Sequence, residues 1–307
     1  MIFGMTYYQI CWYFLIYSFL GWMTEVVYQA VSKGKVINRG FLNGPVCPVY
    51  GFGILAVFSF VGFMRENGRD LNDLEIFLFG MLLATAVELL AGWLLDILFH
   101  ARWWDYSSRP FNFRGYICLQ FSLLWGIAVL LVVRIFQAYI DHRAVSHIPE
   151  RWGWIALGVC YALYFSDLVV TVAIIIGFNK KLRSLDQMQA GLRIVSDRLS
   201  ENVGTRSLAT AQKIGEVRVQ AALGRAELKD AVEARTDALQ ERAGALQEKA
   251  GERAEALQAR IDELYGSLKT HKVFGYGRLL RAFPDLQHRD FSEIVQKLKE
   301  RLLEDGT

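Results

Sequence analysis

Five stretches of mostly apolar residues constrain this chain more than any other feature of its sequence. They cover about residues 8–30, 46–64, 76–98, 115–140 and 153–178. A helix needs roughly 20 apolar residues to cross the hydrocarbon core of a bilayer, so the pattern predicts five transmembrane helices. No basic segment precedes the first stretch, and its apolar run continues past Glu25, so we expect it to be a retained span rather than a cleaved signal.

The charged residues divide the chain sharply. Residues 1–178 hold 11 basic and 11 acidic side chains, whereas residues 179–307 hold 23 and 20. We therefore predict a transmembrane domain at 1–178, a long helical coiled-coil segment at 179–272 and a short C-terminal amphipathic region at 273–307. The fold class is all-α: a polytopic helical membrane domain followed by a long cytoplasmic helix or coiled coil.

Composition also excludes several classes of function. The signs of the charges alternate along the second half and form no basic block, so we expect no nucleic-acid partner. The four cysteines are scattered without the spacing of a zinc site or a disulfide framework. We predict no metal and no cofactor.

Basic residues in the short loops predict the orientation, because cytoplasmic loops are enriched in Lys and Arg. Nine of them fall on the side that holds loops 31–45 and 99–114 and the start of the tail, and four fall on the other side. We predict a multi-pass protein of the bacterial cytoplasmic membrane, with its N-terminus outside and its tail in the cytoplasm.

Four carboxylic acids interrupt the apolar stretches: Glu25, Glu88, Asp96 and Asp167. Ionisable groups at membrane depth are costly and are therefore candidate functional residues. They could converge in one inward-facing cavity. The alternative is that each one is protonated or bonded to a neighbouring helix and holds the helices together.

Two loop segments on the predicted cytoplasmic side carry further candidates. Residues 38–53 contain four glycines and two prolines, so the second span is expected to start with a broken or re-entrant segment beside a cavity. Residues 103–115 are rich in aromatic and polar groups. Trp103 fits an interfacial aromatic belt, whereas Asp105, Asn112 and Arg114 could bind a polar ligand.

Several separated motifs occur in one order: Glu25 after Gly21-Trp22, NRGFLNGPVCPVYGFG at 38–53, WDYS at 104–107 and FNFRGYICL at 111–119. Over about residues 8–140 the chain resembles the bacterial membrane-protein family called Putative ABC-transporter type IV (CmpB-like). The resemblance implies a permease. The chain has no P-loop of its own, so ATP coupling would need a separate ATPase subunit.

The sequence and the resemblance together define the candidate site. The predicted ligand-binding cavity comprises eight residues: Glu25, Asn38, Arg39, Asn43, Glu88, Asp105, Asn112 and Arg114. The predicted structural motif comprises nine more: Gly40, Phe41, Gly44, Pro45, Pro48, Tyr50, Gly51, Trp104 and Gly115. We expect Glu25, Arg39, Asp105 and Asn112 to share one polar cavity that is open to the cytoplasm, with Glu88 at its floor.

The tail lacks proline from about 180 to 270 and repeats apolar residues every 11 positions, as at Val217, Leu228 and Leu239. Such a stripe favours helix association, so we predict a homo-oligomer through residues 180–272. A solitary helix acting as a spacer is the alternative.

Three functions remain open from the sequence. The first is a transport component of the bilayer, the second a structural or regulatory scaffold anchored by its spans, and the third a membrane-embedded enzyme acting on a lipid headgroup. Whether the chain is an enzyme is left open.

Overall fold

The structure is a computed structural model that describes residues 4–34, 36–221, 226–269 and 275–304. Side chains are further left undescribed at 32–33, 143–144, 198–240, 243, 269 and 302–304. Contacts within the chain define two compact units. One comprises Met1–Asn179 together with Lys269–Thr307, and the other comprises Lys180–Leu268.

The chain is almost entirely helical, in agreement with the predicted all-α fold. Two turns of π-helix, Val132–Phe136 and Asp141–Val145, flank the short α-helix Gln137–Ile140. The helices of the described residues are α1 Tyr7–Lys33, α2 Pro48–Glu66, α3 Asp73–Phe99, α4 Leu119–Leu131, α5 Gln137–Ile140, α6 Glu150–Ala221, α7 Ala226–Lys269, α8 Tyr276–Ala282 and α9 Ser292–Glu304.

Five of these helical stretches are long and apolar enough to cross a membrane, which confirms the predicted number of spans. They are Tyr7–Val31, Pro48–Glu66, Asp73–Phe99, Leu119–Ile140 and Glu150–Asp197. Local sequence sets their ends. Thr6 and Gln9 form a capping box at the start of α1, and Asn72 and Glu75 form another at the start of α3.

Small residues let the spans pack closely. A Cβ added at Gly51 of α2 would lie 2.3 Å from the Oγ of Ser18 in α1. One added at Gly80 of α3 would lie 2.4 Å from the side chain of Val129 in α4. Helices in lipid associate through such close backbone contacts, so these glycines hold α1 against α2 and α3 against α4.

The chain between α1 and α2 is irregular and re-entrant. The backbone N–H of Cys47, just before α2, donates to the carbonyl oxygen of Ser18 at 2.9 Å, whereas α1 continues to Lys33. Those 15 further residues of helix correspond to about 22 Å, so the segment runs back along α1 before α2 begins. Leu42 within it is fully buried.

A second irregular segment joins α3 to α4. It contains β1 (Ala101–Arg102) and an antiparallel pair of two-residue strands, β2 (Asn112–Phe113) and β3 (Ile117–Cys118). The C-terminal segment, residues 275–304, returns to this end of the spans. Its strand β4 (Gln287–His288) pairs antiparallel with β1, and Ile294, Val295 and Leu298 of α9 are buried.

The second unit is a helical hairpin. In it, Lys181 of α6 donates to the hydroxyl of Ser267 in α7 at 3.0 Å, and Gln189 donates to that of Tyr265 at 3.0 Å. The partners therefore run antiparallel. The tail thus consists of two helices folded back on each other rather than one continuous helix, and the predicted homo-oligomer stays a prediction.

Candidate functional site

Glu25 of α1 is the centre of a polar cluster beside the re-entrant segment. Its Oε1 accepts a hydrogen bond of 2.7 Å from the hydroxyl of Tyr50 in α2, and its Oε2 lies 3.8 Å from Nη1 of Arg39. The amide oxygen of the buried Gln29, turned toward Arg39, accepts from Nε and Nη1 at 3.1 and 2.7 Å. The structure therefore brings Glu25 and Arg39 together.

The side chain of Asn38 folds the re-entrant segment that carries Arg39. Oδ1 of Asn38 accepts from the backbone N–H of Gly40 at 2.9 Å and from the indole of Trp22 at 2.8 Å. Its Nδ2 donates to the carbonyl of Asn43 at 2.7 Å. These bonds satisfy backbone groups that would otherwise be unpaired at membrane depth.

Asp167 of α6 holds the same segment from the other side. Its carboxylate accepts from the backbone N–H of Gly44 at 2.7 Å and from Nδ2 and the backbone N–H of Asn43 at 3.0 and 3.2 Å. A Cβ on Gly44 would lie 3.2 Å from that carboxylate, so a side chain there would crowd the contact. Asp167 therefore ties the segment to the fifth span.

Glu88 lies near the middle of α3 and is 8% exposed. Its Oε2 accepts from the indole N–H of Trp125 at 3.0 Å, and its Oε1 accepts from the hydroxyl of Tyr106 at 3.2 Å. The rings of Tyr50 and Trp125 meet edge to face at 5.4 Å. The Glu25 cluster and Glu88 are thus connected through one pair of aromatic rings.

The electrostatics agree with this connection. Tyr106 lies in the irregular segment between α3 and α4, outside the spans. Burial raises the pKa of its hydroxyl above the ordinary value, and the carboxylates of Glu88 and Glu25 raise it further. Both carboxylates therefore act on one phenol that remains a hydrogen-bond donor at neutral pH.

Asp105 and Asn112 belong to a different set of contacts. Asp105 accepts from the backbone N–H of Ser107 at 2.9 Å and from the Gln287 amide at 3.0 Å. Asn112 donates to the carbonyl of Arg109 at 2.7 Å and accepts from the N–H of Gly115 at 3.1 Å. The structure places these two residues in a hydrogen-bonded loop that also contacts the C-terminal segment.

Two further residues of the predicted set lie in the same loop. The guanidinium of Arg114 lies 5.9 Å from the ring centre of Phe113, and the indole of Trp104 donates to the carbonyl of Tyr116 at 2.9 Å. Gly115 has a φ of +75°, and a Cβ there would lie 2.3 Å from the Asp105 carboxylate. Only glycine fits that position without strain.

The predicted structural motif residues before α2 have identifiable contacts. The ring of Phe41 packs against Trp103 at 5.3 Å and Phe99 at 6.0 Å, which links the two irregular segments. Pro48 is the first residue of α2, a position where its missing N–H costs nothing. Pro45 precedes it within the irregular stretch.

The sequence reasoning missed several partners. Gln29, Tyr106 and Trp125 contact the candidate carboxylates, and Arg278 of α8 donates to the carbonyls of Gly40 and Phe41. Gln29 lies one helical turn after Glu25, and that spacing could have suggested it. No spacing rule could have found Arg278, which is 238 positions from Gly40.

An open cavity of ≈ 820 Å³ lies where the loop after α3 faces the C-terminal segment. Asp96, Arg102 and Asp105 line one side, and His288 and Lys299 are among the residues on the other. Within the described ranges, no three His, Cys, Asp or Glu side chains are grouped closely enough to hold a metal ion.

The sequence of the membrane-spanning region identifies the family. A sequence profile described as Putative ABC-transporter type IV matches residues 12–172, more than half of the chain. The chain belongs to this family. The predicted resemblance is thereby confirmed, and the match to the type IV family extends beyond residue 140 into the fifth span, where Asp167 lies. No curated protein and no solved structure was found to match the chain.

Membership in the type IV family and five apolar helices make this a multi-pass membrane protein. The residues grouped around Glu25, Arg39 and Glu88 all lie within the matched region.

Proposed function

We propose that the protein is a transport component of the membrane, with a polar ligand site centred on Glu25, Arg39 and Glu88. The observation that supports it is the connected cluster of two carboxylates inside apolar helices and a guanidinium on the re-entrant segment beside them. Each such group is expensive in lipid and is expected to serve a function. The cluster also lies beside irregular backbone, which membrane proteins tolerate where it is buried in protein or lines a cavity.

The site would be reached from the end of the spans where the irregular segments lie. Both irregular segments and the C-terminal segment meet at that end, through the bonds of Arg278 to Gly40 and of Gln287 to Asp105. We propose that this end faces the cytoplasm. As an ABC-type permease, the protein would act with a separate ATPase subunit, because its own sequence has no P-loop.

Membrane-impermeant cysteine labelling in intact cells tests that orientation. A cysteine at exposed Arg109 should resist labelling, whereas one at exposed Arg69 in the α2–α3 turn should react. The reverse pattern would overturn the proposed orientation and leave the site itself untouched.

Complementation tests the function. The gene is deleted in its host, and the metabolites of cells and medium are compared after return of wild type, Arg39→Gln, Glu88→Gln or the control Glu66→Gln. Glu66 ends α2 and is exposed, so its change should be neutral. We expect wild type and the control to restore the metabolite distribution and both site variants to fail at equal membrane abundance. Full restoration by the site variants would contradict the proposal.

A scaffold anchored by its spans is the second candidate. The observation that favours it is the separate hairpin unit formed by residues 180–268. If deletion changes no metabolite distribution and the protein co-purifies only with envelope proteins, the scaffold function replaces transport.

A further inference from the structure

The membrane domain contains an internal repeat. Gly21-Trp22 stands before Glu25 at the same distance in sequence at which Gly92-Trp93 stands before Asp96. Downstream, Arg-Gly-Phe at 39–41 corresponds to Arg-Gly-Tyr at 114–116. Cys47 and Cys118 then follow, each with an aromatic residue three positions later. Two copies of one motif order therefore lie in the α1–α2 and α3–α4 halves.

The structure repeats as the sequence does. In each half a long helix is followed by an irregular segment, and a buried cysteine immediately precedes the next helix. The first glycine of each copy faces an aromatic ring. A Cβ at Gly21 would lie 2.2 Å from Tyr50, and one at Gly92 would lie 3.1 Å from Tyr116.

The two repeated carboxylates have matching partners. Glu25 accepts from the hydroxyl of Tyr50, and Asp96 accepts from that of Tyr116. Each also has an arginine, and both the tyrosines and the arginines come from different positions of the repeat. Arg39 lies 3.8 Å from Glu25, and Arg102 lies 3.5 Å from Asp96. Both negative charges are therefore paired with a positive one.

Glu88 has no counterpart in this repeat. The shift in sequence that aligns Gly21 with Gly92 aligns Tyr17 with Glu88, and Tyr17 is not a carboxylic acid. Its hydrogen-bond donors are the neutral groups of Tyr106 and Trp125, and among the described residues it makes no ion pair. Asp167 differs, because it has four donors and an electrostatic interaction with Arg278.

Glu88 also lies where the two halves meet. Tyr50 of the first half contacts Trp125 of the second, and Glu25 interacts electrostatically with Glu88. The ionisable groups that interact with Glu88 are Glu25 from α1 and Tyr106 from the loop, and Tyr50 of α2 interacts with both of these. Arg39 is already paired with Glu25. In secondary transporters built from repeats, substrates and ions bind at such interfaces.

An ionised carboxylate here faces a second carboxylate and has no compensating cation among the residues that the structure describes. Such a group is costly in a medium of low dielectric constant. A proton is the smallest cation that removes this charge, and it fits without displacing Tyr106 or Trp125. When it adds to one carboxylate oxygen it gives a neutral carboxylic acid, and when it leaves it returns to water without any transfer of electrons.

We propose that Glu88 is the proton-binding group of the membrane domain, loaded and unloaded during the transport cycle. This inference rests on the proposed function, because the proton binds within that same site. The proton would neutralise Glu88 during the cycle, and the separate ATPase subunit would remain the source of energy. Tyr106 donates to Glu88 from the irregular segment, so its hydroxyl marks the side from which the proton would arrive.

Infrared difference spectroscopy on the full-length protein in lipid vesicles tests the proposal. The carboxylic-acid C=O band is followed as the pH is changed. We expect a titrating band in wild type, its loss in Glu88→Gln, a shifted band in Glu88→Asp, and no change in Glu66→Gln. Thermal unfolding checks that each variant is folded. An unchanged band in folded Glu88→Gln, or no titrating band in wild type, would overturn the inference.

Comparison with the complementation assay separates the two proposals. If Glu88→Gln fails to restore metabolites but leaves the titrating band intact, the transport function stands and the proton assignment falls. If the band is lost and Glu88→Gln still restores the metabolites, Glu88 binds a proton but the proposed transport site is wrong.

Discussion

The guanidinium of Arg278 donates a hydrogen bond to the carbonyl oxygen of Gly40 at 3.0 Å, although 238 positions separate the two residues. A second bond of 3.0 Å goes to the carbonyl of Phe41. Arg278 is 6% exposed, and burial lowers its pKa, whereas the nearby Asp167 raises it. The C-terminal segment thereby holds the turn that follows Arg39, so it positions the candidate site.

Replacing Arg278 by Met should loosen that turn. The carbonyls of the buried Gly40 and the partly buried Phe41 would lose their donor, and an unpaired buried polar group costs about 1–3 kcal/mol. We expect a lower temperature of unfolding in detergent and faster hydrogen exchange over residues 276–304. Arg281→Met on the same helix is the control. Equal effects of the two substitutions would show that the bonds to Gly40 and Phe41 contribute nothing.

His288 should make the C-terminal segment sensitive to acid. The side chain is 2% exposed, and its Nδ1 accepts from the backbone N–H groups of Asp290 and Phe291 at 3.2 Å. Burial lowers its pKa below the ordinary 6.5 and His100 lowers it further, while Asp290 opposes the shift. The folded state thus favours the neutral ring, and a protonated Nδ1 could not accept these bonds.

The sign of the pH effect follows from that shift. The contribution of neutral His288 to the free energy of unfolding is fully present above the unfolded-state pKa of 6.5. It is lost as the pH falls below 6.5 toward the lower pKa of the folded state. Thermal unfolding measured from neutral pH to about pH 5 should reveal the decline. His288→Asn keeps an acceptor and should flatten it, whereas exposed His147→Asn should not. If His288→Asn loses stability in acid as the wild-type protein does, His288 is not the group that causes the loss.

Spans and local caps could be predicted from the sequence because they depend on composition and short spacing. The number of spans and most of their bounds agree with the apolar stretches, and Pro48 explains why α2 begins two residues late. The pairing of Glu25 with Arg39 was also expected. It depends on two motifs only 14 positions apart, joined by one irregular segment.

The remaining contacts of the site depend on long-range packing. Asp167 and Asn43 are 124 positions apart, and nothing in either local sequence specifies that they meet. The sequence likewise grouped Asp105 with Arg39 because both lie on the same predicted side. The structure gives Asp105 partners other than Arg39, namely Ser107 two residues away and Gln287 of the C-terminal segment.

Asp167→Asn should release the re-entrant segment. The carboxylate accepts from both Asn43 and Gly44, whereas an amide offers one oxygen and turns its NH₂ toward a donor. Cys47 can report the release. The thiol is buried, and its pKa is raised to about 12, mainly by burial and further by Glu25, so it should react slowly with maleimide.

The measurement uses a protein in which Cys47 is the one remaining cysteine, since Cys160 is exposed and would react first. Asp167→Asn should speed the labelling of Cys47 in lipid vesicles by at least about tenfold, which corresponds to about 1.4 kcal/mol of easier opening. Exposed Ser166→Ala on the same helix should leave the rate unchanged. Equal labelling rates in the two variants would mean that Asp167 does not hold the segment.

The tail should self-associate through the residues that its hairpin leaves uncovered. Ile261, Tyr265 and Leu268 are buried, whereas Leu246 is 62% exposed. Leu246 lies seven positions, or about two helical turns, after Leu239 of the 11-residue repeat, so it shares that helix face. An exposed leucine there is available to a second copy, and a charge placed in such a seam opposes association. Leu246→Asp should therefore weaken dimerisation of the full-length protein in detergent by at least about tenfold, or about 1.4 kcal/mol.

Leu239→Asp should also weaken dimerisation, because Leu239 belongs to the 11-residue repeat. The side chain of Leu239 lies outside the described residues. Exposed Gln247→Asp is the matched control, because it adds the same charge one residue away from Leu246. Sedimentation velocity over micromolar concentrations measures the monomer fraction of each variant. If the wild-type protein remains monomeric at every concentration, the apolar stripe packs within the hairpin of one chain, and the predicted homo-oligomer is wrong.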